Sequence, residues 1–198
     1  MRCRSPRWSR GETDRVGKRV LLIRHCTSTG QASEAALAEE GHRQAFLLAE
    51  RLADARIERI VSSPYRRARE TIAPLAQRLG LEVELDPRLT ERLLSPVPYD
   101  AWREVVARSF EDLDHRAPGG ESGRETLDRG WAALRDALAH PAELTALVSH
   151  GQISSLLLHR IGPPFGHAGW IGLSNPDVYQ IERDANGRLG YRRVWSPE

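Results

Sequence analysis

The hydrophobic pattern of this chain alternates between short apolar runs and longer segments with helical spacing. Runs of four to six apolar residues bounded by polar residues are typical of strands. The predicted strands cover 20–23, 57–61, 81–85 and 145–148, followed by 178–181 and 189–195. The last two flank Asn186-Gly187, a pair that favours a tight turn, so they predict a terminal hairpin.

Helical segments lie between these runs. Apolar residues recur every three or four positions within 45–52, 68–79, 127–138 and 153–161. Ser63 with Pro64 predicts the start of the second helix, and Gly80 predicts its end. Ser122 and Glu125 form a capping-box pattern that opens the third. The alternation of strands and helices predicts an α/β fold with three layers, in which helices cover both faces of a mostly parallel central sheet.

Residues 93–123 interrupt this alternation. Prolines and glycines frame one short amphipathic segment, 102–113. An excursion of this length inside a compact domain favours a small helical lid insertion over a second domain. The first 17 residues have no apolar periodicity, which is typical of a disordered basic extension. The predicted organisation is therefore an extension over 1–17 and one domain over 18–198.

Composition and charge exclude several classes of protein. The chain has 198 residues, 40% of them hydrophobic, which suffices for one domain with a core. Its net charge is +2, yet the first 19 residues carry seven basic and two acidic residues, so the remainder is net negative. We therefore expect no nucleic-acid partner for the folded part, and nucleic-acid binding through the extension stays an alternative.

Targeting signals and cysteine usage bear on the compartment. No apolar run is long enough to span a bilayer, and no apolar segment follows the basic N-terminus as in a signal peptide. The two cysteines, Cys3 and Cys26, do not form a disulfide framework and suit a reducing compartment. The expected location is the cytoplasm, without a membrane partner.

Charged and polar side chains follow three of the predicted strands. Arg24-His25 follows the first strand, Ser62-Ser63 leads from the second to Arg67, and Ser149-His150 follows the fourth. Ligands of open α/β sheets bind beyond the carboxyl ends of the strands. The arginine fork binds phosphate oxygens, and imidazole can attack phosphorus. Each residue alone is as well explained by a structural role, but the set at one edge predicts phosphoryl-transfer chemistry.

Such a reaction also needs a group that protonates the leaving oxygen and later activates water. Glu91, at the exit of the third strand, is the best-placed carboxylate. The other histidines have no spacing typical of metal ligands, so we expect neither a metal nor a cofactor. His25-Cys26 raises the alternative of a cysteine-dependent tyrosine phosphatase. That class needs an arginine where this chain has Ala32, which argues against a thiolate mechanism.

Four short motifs together resemble the histidine phosphatase superfamily, which has the phosphoglycerate-mutase-like fold. They are Leu22-Ile23-Arg24-His25, Ser62-Ser63-Pro64-Tyr65-Arg66-Arg67-Ala68-Arg69-Glu70-Thr71, Leu89-Thr90-Glu91-Arg92 and Val148-Ser149-His150-Gly151. The motifs come in the family's order, and the resemblance covers about residue 18 to the C-terminus. It implies that His25 is the nucleophile and forms a phosphohistidine, without a metal. Glu91 would be the proton donor.

The resemblance also implies which residues hold the phosphate. Arg24, Arg67 and His150 would complete the catalytic pocket around His25. Gln31 occupies the place of a family polar residue, usually Asn, that contacts phosphate, and Ser28 lies nearby. Gly151 and Gln152 follow the second histidine, where main-chain N–H groups at a helix start can bind an anion.

The chain departs from the family pattern at Cys26, where the family usually has glycine. A side chain there is expected to narrow the pocket or to require a different backbone conformation. Thr27 stands where mutases tend to carry Glu, and the long insertion of cofactor-dependent mutases is absent. The Pro118–Ser122 run also resembles that of the broad-specificity phosphatases. These features favour a phosphatase; a phosphoglycerate-type mutase and a catalytically weak binder of phosphorylated ligands are the alternatives.

The predicted activity is hydrolysis of a small phosphorylated substrate whose identity the sequence leaves open. Trp102, Arg103 and Arg108 in the lid are expected to select the leaving group. His25 must be uncharged to attack, and neighbouring arginines are expected to lower its pKa. Activity should peak on the acid to neutral side and fall once Glu91 loses its proton. The oligomeric state stays open, including a dimer formed through Trp170.

Overall fold

The computed structural model describes residues 17–97, 100–162 and 165–195. Its strands are β1 (Arg19–Arg24), β2 (Arg59–Ser62), β3 (Val83–Leu85), β4 (Leu144–Ser149), β5 (Asp177–Arg183) and β6 (Leu189–Arg193). Its helices are α1 (Glu39–Leu52), α2 (Arg66–Leu79), α3 (Trp102–Arg108), α4 (Gly123–Ala139), α5 (Gly151–Ile161) and α6 (His167–Ile171). The predicted extension over 1–17 lies outside the described residues except for Gly17, so the structure does not bear on it.

The strands form one six-stranded sheet in the order β3-β2-β4-β1-β5-β6. The pairs β1–β4, β4–β2 and β2–β3 are parallel, whereas β5 is antiparallel to both β1 and β6. Gly187, in the turn between β5 and β6, has the left-handed φ of 77° that favours glycine. The predicted α/β fold, with a mostly parallel sheet and a terminal hairpin, is confirmed.

The central position of β1 in the sheet explains why its sequence is apolar without interruption. Val20 and Leu22 pack on one face of the sheet with α4 and α5, whereas Leu21 and Ile23 pack on the other face with α1 and α2. A strand covered on both faces needs apolar side chains at successive positions. Full burial of each such side chain contributes about 1.5–3 kcal/mol. The strand that carries Arg24 and His25 is therefore firmly held.

The helix ends agree with the sequence except at one point. Gly80 ends α2 with a left-handed φ of 66°, and Ser122 and Glu125 form the predicted capping box of α4. The prediction that Ser63 caps α2 and Pro64 opens it is wrong. The helix begins at Arg66, two residues later, because the chain runs extended through Tyr65. The Ser63 hydroxyl contacts a histidine instead.

The described residues of the predicted lid, 93–97 and 100–123, include the short helix α3, which buries Val105 and Val106. Its loops are held by Arg92, a guanidinium that is only 4% exposed. Arg92 Nε donates to the Glu121 carbonyl at 2.8 Å, and Nη2 donates to the His115 carbonyl at 3.0 Å. A third donor, Nη1, bonds the Ser109 hydroxyl. The residue after Glu91 thus ties the lid to the domain.

Replacing Arg92 with alanine is expected to lower the free energy of unfolding by about 2–4 kcal/mol, because it leaves two partly buried carbonyls and a buried hydroxyl without their donors. Urea unfolding measures this change, and amide exchange should show faster opening of the lid. Arg116→Ala is the matched control, since Arg116 forms an exposed ion pair with Glu125, which contributes less than about 1 kcal/mol. Equal effects of the two variants would contradict the anchoring role.

Two findings concern the expectations about membranes and metals. No helix in the described part of the chain has the length and apolar character needed to cross a bilayer. Within the same residues, no three His, Cys, Asp or Glu side chains are grouped so that they could hold a metal ion. The cytoplasmic location and the absence of a cofactor stay predictions.

Candidate active site

His25 lies directly after β1, and its imidazole is 6% exposed. Its Nδ1 is 2.6 Å from the main-chain oxygen of Cys26. Because a carbonyl oxygen only accepts hydrogen bonds, Nδ1 carries the proton and Nε2 carries the lone pair. Arg67 Nε donates to that lone pair at 3.2 Å. Nε2 is therefore the His25 atom that could act as a nucleophile, and it lies beside the Arg67 guanidinium.

The imidazole of His25 is uncharged at neutral pH. Burial, together with the charges of Arg67 and Arg24, lowers its pKa from 6.5 to about 3, although the bond to the Cys26 carbonyl partly opposes this. The sequence led us to expect the effect of the arginines, but burial is the larger cause. An uncharged imidazole has the lone pair that attack on phosphorus requires.

His150 lies at the start of α5, with its ring centroid 5.1 Å from that of His25. It is fully buried, and its Nε2 is 2.8 Å from the Ser63 hydroxyl. Burial, followed by the proximity of His25 and Arg67, holds its pKa well below 6.5. Its Nδ1 is buried and has no hydrogen-bond partner among the described residues.

The two arginines are fixed by main-chain carbonyls. Arg67 is fully buried, and its Nη1 donates to the carbonyls of Gln31 and Ala32 at 3.1 and 2.8 Å. Arg24 Nη1 donates to the carbonyls of Leu173 and Ser174 at 3.2 and 3.3 Å. These bonds position the guanidinium groups without neutralising them.

Some polar nitrogens beside His25 stay without a protein partner. Arg24 Nε, Arg67 Nη2 and His150 Nδ1 are buried, and within the described residues none of the three forms a hydrogen bond. Both arginines act electrostatically on His25 and His150, so all four side chains share one region. Burying unpaired donors is unfavourable unless a ligand accepts from them. A phosphoryl group, with several acceptor oxygens and negative charge, matches this set.

Glu91 is held by the first turn of α5. Its carboxylate accepts from Gln152 N at 3.1 Å and from Ile153 N at 3.2 Å, as well as from Arg92 N at 2.9 Å. It also interacts electrostatically with Arg24 and Arg67. The predicted proton donor therefore lies in the same region as the arginines. The Gln152 N–H donates to Glu91 in this structure. The expected role of Gln152 at the phosphate stays a prediction.

Three other residues were predicted to contact the phosphate. At Gly151, a Cβ atom would lie 3.3 Å from Arg24 Nε, so glycine leaves room for that guanidinium. Gln31 offers its carbonyl to Arg67, while its side chain is exposed. The Ser28 hydroxyl donates to the Gly30 carbonyl at 3.0 Å. Within the described residues neither the Ser28 nor the Gln31 side chain forms a hydrogen bond to His25, and their roles at the phosphate stay predictions.

Comparison with known proteins shows the family. The model of the histidine phosphatase superfamily, branch 1, matches residues 20–192. The chain belongs to this superfamily. Relatives that carry mutase and phosphatase names both support a phosphoryl-transfer enzyme.

Three matches illustrate the relationships of this chain within the superfamily. A Yersinia pestis (strain Pestoides F) protein named "Probable phosphoglycerate mutase GpmB" is 35% identical over 82% of this chain and 84% of its own length. A mycobacterial glucosyl-3-phosphoglycerate phosphatase, solved with inorganic phosphate, is 27% identical over 91% of this chain and 98% of its own, with a TM-score of 0.71. Bacillus stearothermophilus YhfR, 21% identical over 92% and 98%, shares the fold with a TM-score of 0.76.

Cys26, where the family usually has glycine, has a buried side chain and needs no special backbone conformation. Its side chain is buried in a small separate cluster with Leu37 and Ala45. Arg56 is the only described non-glycine residue with a positive φ, so Cys26 adopts a conformation open to any residue. Burial raises the pKa of its thiol to about 12, which agrees with the argument against a thiolate mechanism. A catalytically weak binder of phosphorylated ligands stays an untested alternative.

Several residues that support the site have no signal in the sequence. Asn175 Nδ2 donates to the His25 carbonyl at 2.7 Å from the loop before β5. Arg129, on α4, donates to the carbonyls of Arg88 and Thr90 at 2.8 and 2.7 Å, which fixes the chain before Glu91. They are single residues far away in sequence, so no motif or periodicity could have identified them.

The low pKa of His25 predicts how stability depends on pH. Between the ordinary value of 6.5 and about 3, the unfolded chain binds a proton that the folded chain does not. Stability is therefore lost as pH falls through this window, by about 1.4 kcal/mol per pH unit for each such histidine. Urea unfolding without phosphate at about pH 7, 6 and 5 should show a shallower decline for His25→Asn than for the native chain. His42→Asn, at an exposed position, serves as the control, and an unchanged slope in His25→Asn would contradict the buried neutral imidazole.

Proposed function

We propose that this histidine phosphatase hydrolyses phosphate monoesters through a phosphohistidine on His25. The observation that carries the proposal is the His25 Nε2 lone pair, in the same region as three buried nitrogens, from Arg24, Arg67 and His150, that form no hydrogen bond within the described residues. In the first step Nε2 attacks phosphorus and the bond from phosphorus to the leaving oxygen breaks. Glu91 gives its proton to that oxygen, and the free alcohol leaves.

The second step returns the enzyme to its starting state. Glu91, now a carboxylate, takes a proton from water, and the water oxygen attacks phosphorus. The bond from phosphorus to Nε2 breaks, so inorganic phosphate is released and His25 regains its lone pair. The Nδ1 bond to the Cys26 carbonyl keeps the ring in one orientation and keeps a proton on Nδ1 through both steps.

The arginines support catalysis without a metal. Two guanidinium groups supply positive charge in a buried site, where such charge stabilises developing negative charge strongly. Their carbonyl partners hold them in place before the substrate arrives. The test is hydrolysis of a generic aryl phosphate without added metal and with a chelator present. Loss of activity on chelation would refute a metal-independent reaction.

A phosphoglycerate-type mutase is the second candidate, because the Yersinia pestis relative named as a mutase shares 35% identity with this chain. Thr27 and the short lid favour the phosphatase. The Thr27 N–H donates to Gln44 Oε1, and the described part of the lid contains one seven-residue helix. Incubation with 3-phosphoglycerate separates the two: a phosphatase releases inorganic phosphate, whereas a mutase forms the 2-isomer.

The lid is the proposed determinant of the leaving group. The Trp102 ring contacts the Trp170 ring edge-on at 6.1 Å, and the Arg103 guanidinium lies 4.5 Å above Trp102. Trp170 also stacks on His167. A panel of sugar, nucleotide and amino-acid phosphates would identify the substrate class.

Trp170 thus has aromatic partners within the chain. The expected dimer through Trp170 stays a prediction.

A further inference from the structure

The Ser63 hydroxyl connects the main chain to His150. Tyr65 N–H donates to Ser63 Oγ at 3.3 Å, and Ser63 Oγ lies 2.8 Å from His150 Nε2. Ser63 and His150 are both completely buried. No other hydrogen-bond partner of the Ser63 hydroxyl occurs among the described residues.

The hydrogen-bond capacities of these groups admit two arrangements. A neutral imidazole carries one proton, on Nδ1 or on Nε2. With the proton on Nε2, the imidazole would donate to Ser63, and the Ser63 O–H would have no acceptor within the described part of the chain. With the proton on Nδ1, the Ser63 O–H donates to Nε2, and Tyr65 N–H donates to the serine oxygen. Only the second arrangement satisfies both the donor and the acceptor of the buried Ser63 hydroxyl.

We propose that Ser63 is a positioning residue that fixes the proton of His150 on Nδ1, so that this atom donates a hydrogen bond to the substrate's phosphoryl oxygen. The functional part rests on the proposed hydrolysis of phosphate monoesters, whereas the position of the proton does not. Of the two His150 ring nitrogens, Nδ1 is the one that has no hydrogen-bond partner in the described part of the chain. On Nε2, the proton would leave the Nδ1 lone pair facing an anion, which is repulsive.

The orientation of the His150 ring does not depend on Ser63 alone. Tyr65 contacts the ring edge-on at 5.1 Å, and His25 contacts it at the same distance. Removing the Ser63 hydroxyl should therefore allow the His150 proton to occupy either ring nitrogen while the ring keeps its orientation. A change of tautomer in the Ser63 variant can therefore be distinguished from a general loss of structure around His150.

The test uses the full chain with ¹⁵N-labelled histidine. Nitrogen chemical shifts distinguish a protonated from an unprotonated ring nitrogen, and His150→Gln assigns the signals. We expect Nδ1 to be protonated in the native chain, and Ser63→Ala to give a mixture of tautomers or the Nε2 form. The inhibition constant of inorganic phosphate should rise by about tenfold or more in Ser63→Ala, and Ser63→Thr should restore it.

Ser62→Ala is the matched control, because the buried Ser62 hydroxyl donates to the Ser63 carbonyl and contacts no histidine. It should leave the tautomer unchanged. An Nε2 proton in the native chain, or unchanged tautomer and phosphate inhibition in Ser63→Ala, would overturn the proposal. The native spectrum alone decides the proton's position if Ser63→Ala does not fold. If the native chain hydrolyses no monoester, the proposed function is refuted; a protonated Nδ1 that is lost in Ser63→Ala would then still uphold the role of Ser63 in fixing the proton.

Discussion

Replacing His25 with alanine is expected to lower kcat for hydrolysis of an aryl phosphate by about 10⁴-fold or more. The variant lacks the Nε2 lone pair on which the covalent intermediate forms. Arg24, Arg67 and His150 remain, so inorganic phosphate should still bind. The measurement compares native and variant chains in a metal-free buffer with a chelator. Acid quenching during turnover should trap an acid-labile phosphoryl group on the native chain and none on His25→Ala.

The control for this experiment is His42→Ala, which removes an exposed imidazole on α1 and should leave kcat unchanged. Retention of more than about one hundredth of the native rate in His25→Ala would exclude His25 as the nucleophile, given the losses typical of such residues. A native chain that binds phosphate and hydrolyses no monoester would favour the alternative of a phospho-ligand-binding protein.

Replacing Glu91 with glutamine is expected to reduce hydrolysis of an alkyl phosphate by about 10²–10⁴-fold. An alkoxide is a poor leaving group and needs the proton that Glu91 supplies. For p-nitrophenyl phosphate the first step should change much less, because nitrophenolate leaves without a proton. Single-turnover release of the alcohol or phenol measures this step separately from hydrolysis of the intermediate.

Glu50→Gln provides the matched control, since Glu50 is an exposed carboxylate on α1. It should leave both rates unchanged. If Glu91→Gln slows both substrates equally, then Glu91 acts by holding the start of α5 through Gln152 and Ile153, not by transferring a proton. The ratio of the two losses therefore distinguishes acid catalysis from a positional role.

The sequence was sufficient for the architecture and for the set of site residues brought together at one sheet edge. The uninterrupted apolar run before Arg24-His25 reflects a strand buried on both faces. Parallel strands bring the residues at their carboxyl ends to the same edge, which is why His25 and His150 lie with ring centroids 5.1 Å apart. The motif resemblance then identified the family, which the match over residues 20–192 shows. Periodicity and motif order are local properties, so they can be read without coordinates.

Only the tertiary structure decided where the protons and hydrogen bonds lie. It placed the Ser63 hydroxyl on His150 instead of at the start of α2, and it buried the Cys26 side chain in a separate cluster. It also showed that burial lowers the pKa of His25 more than the arginines do. Desolvation and hydrogen-bond direction depend on which groups from distant segments meet, and a one-dimensional pattern does not contain those distances. The sequence therefore determined the motif residues that lie at the sheet edge, and the fold determined their charges, their hydrogen-bond partners and the supporting residues Asn175 and Arg129.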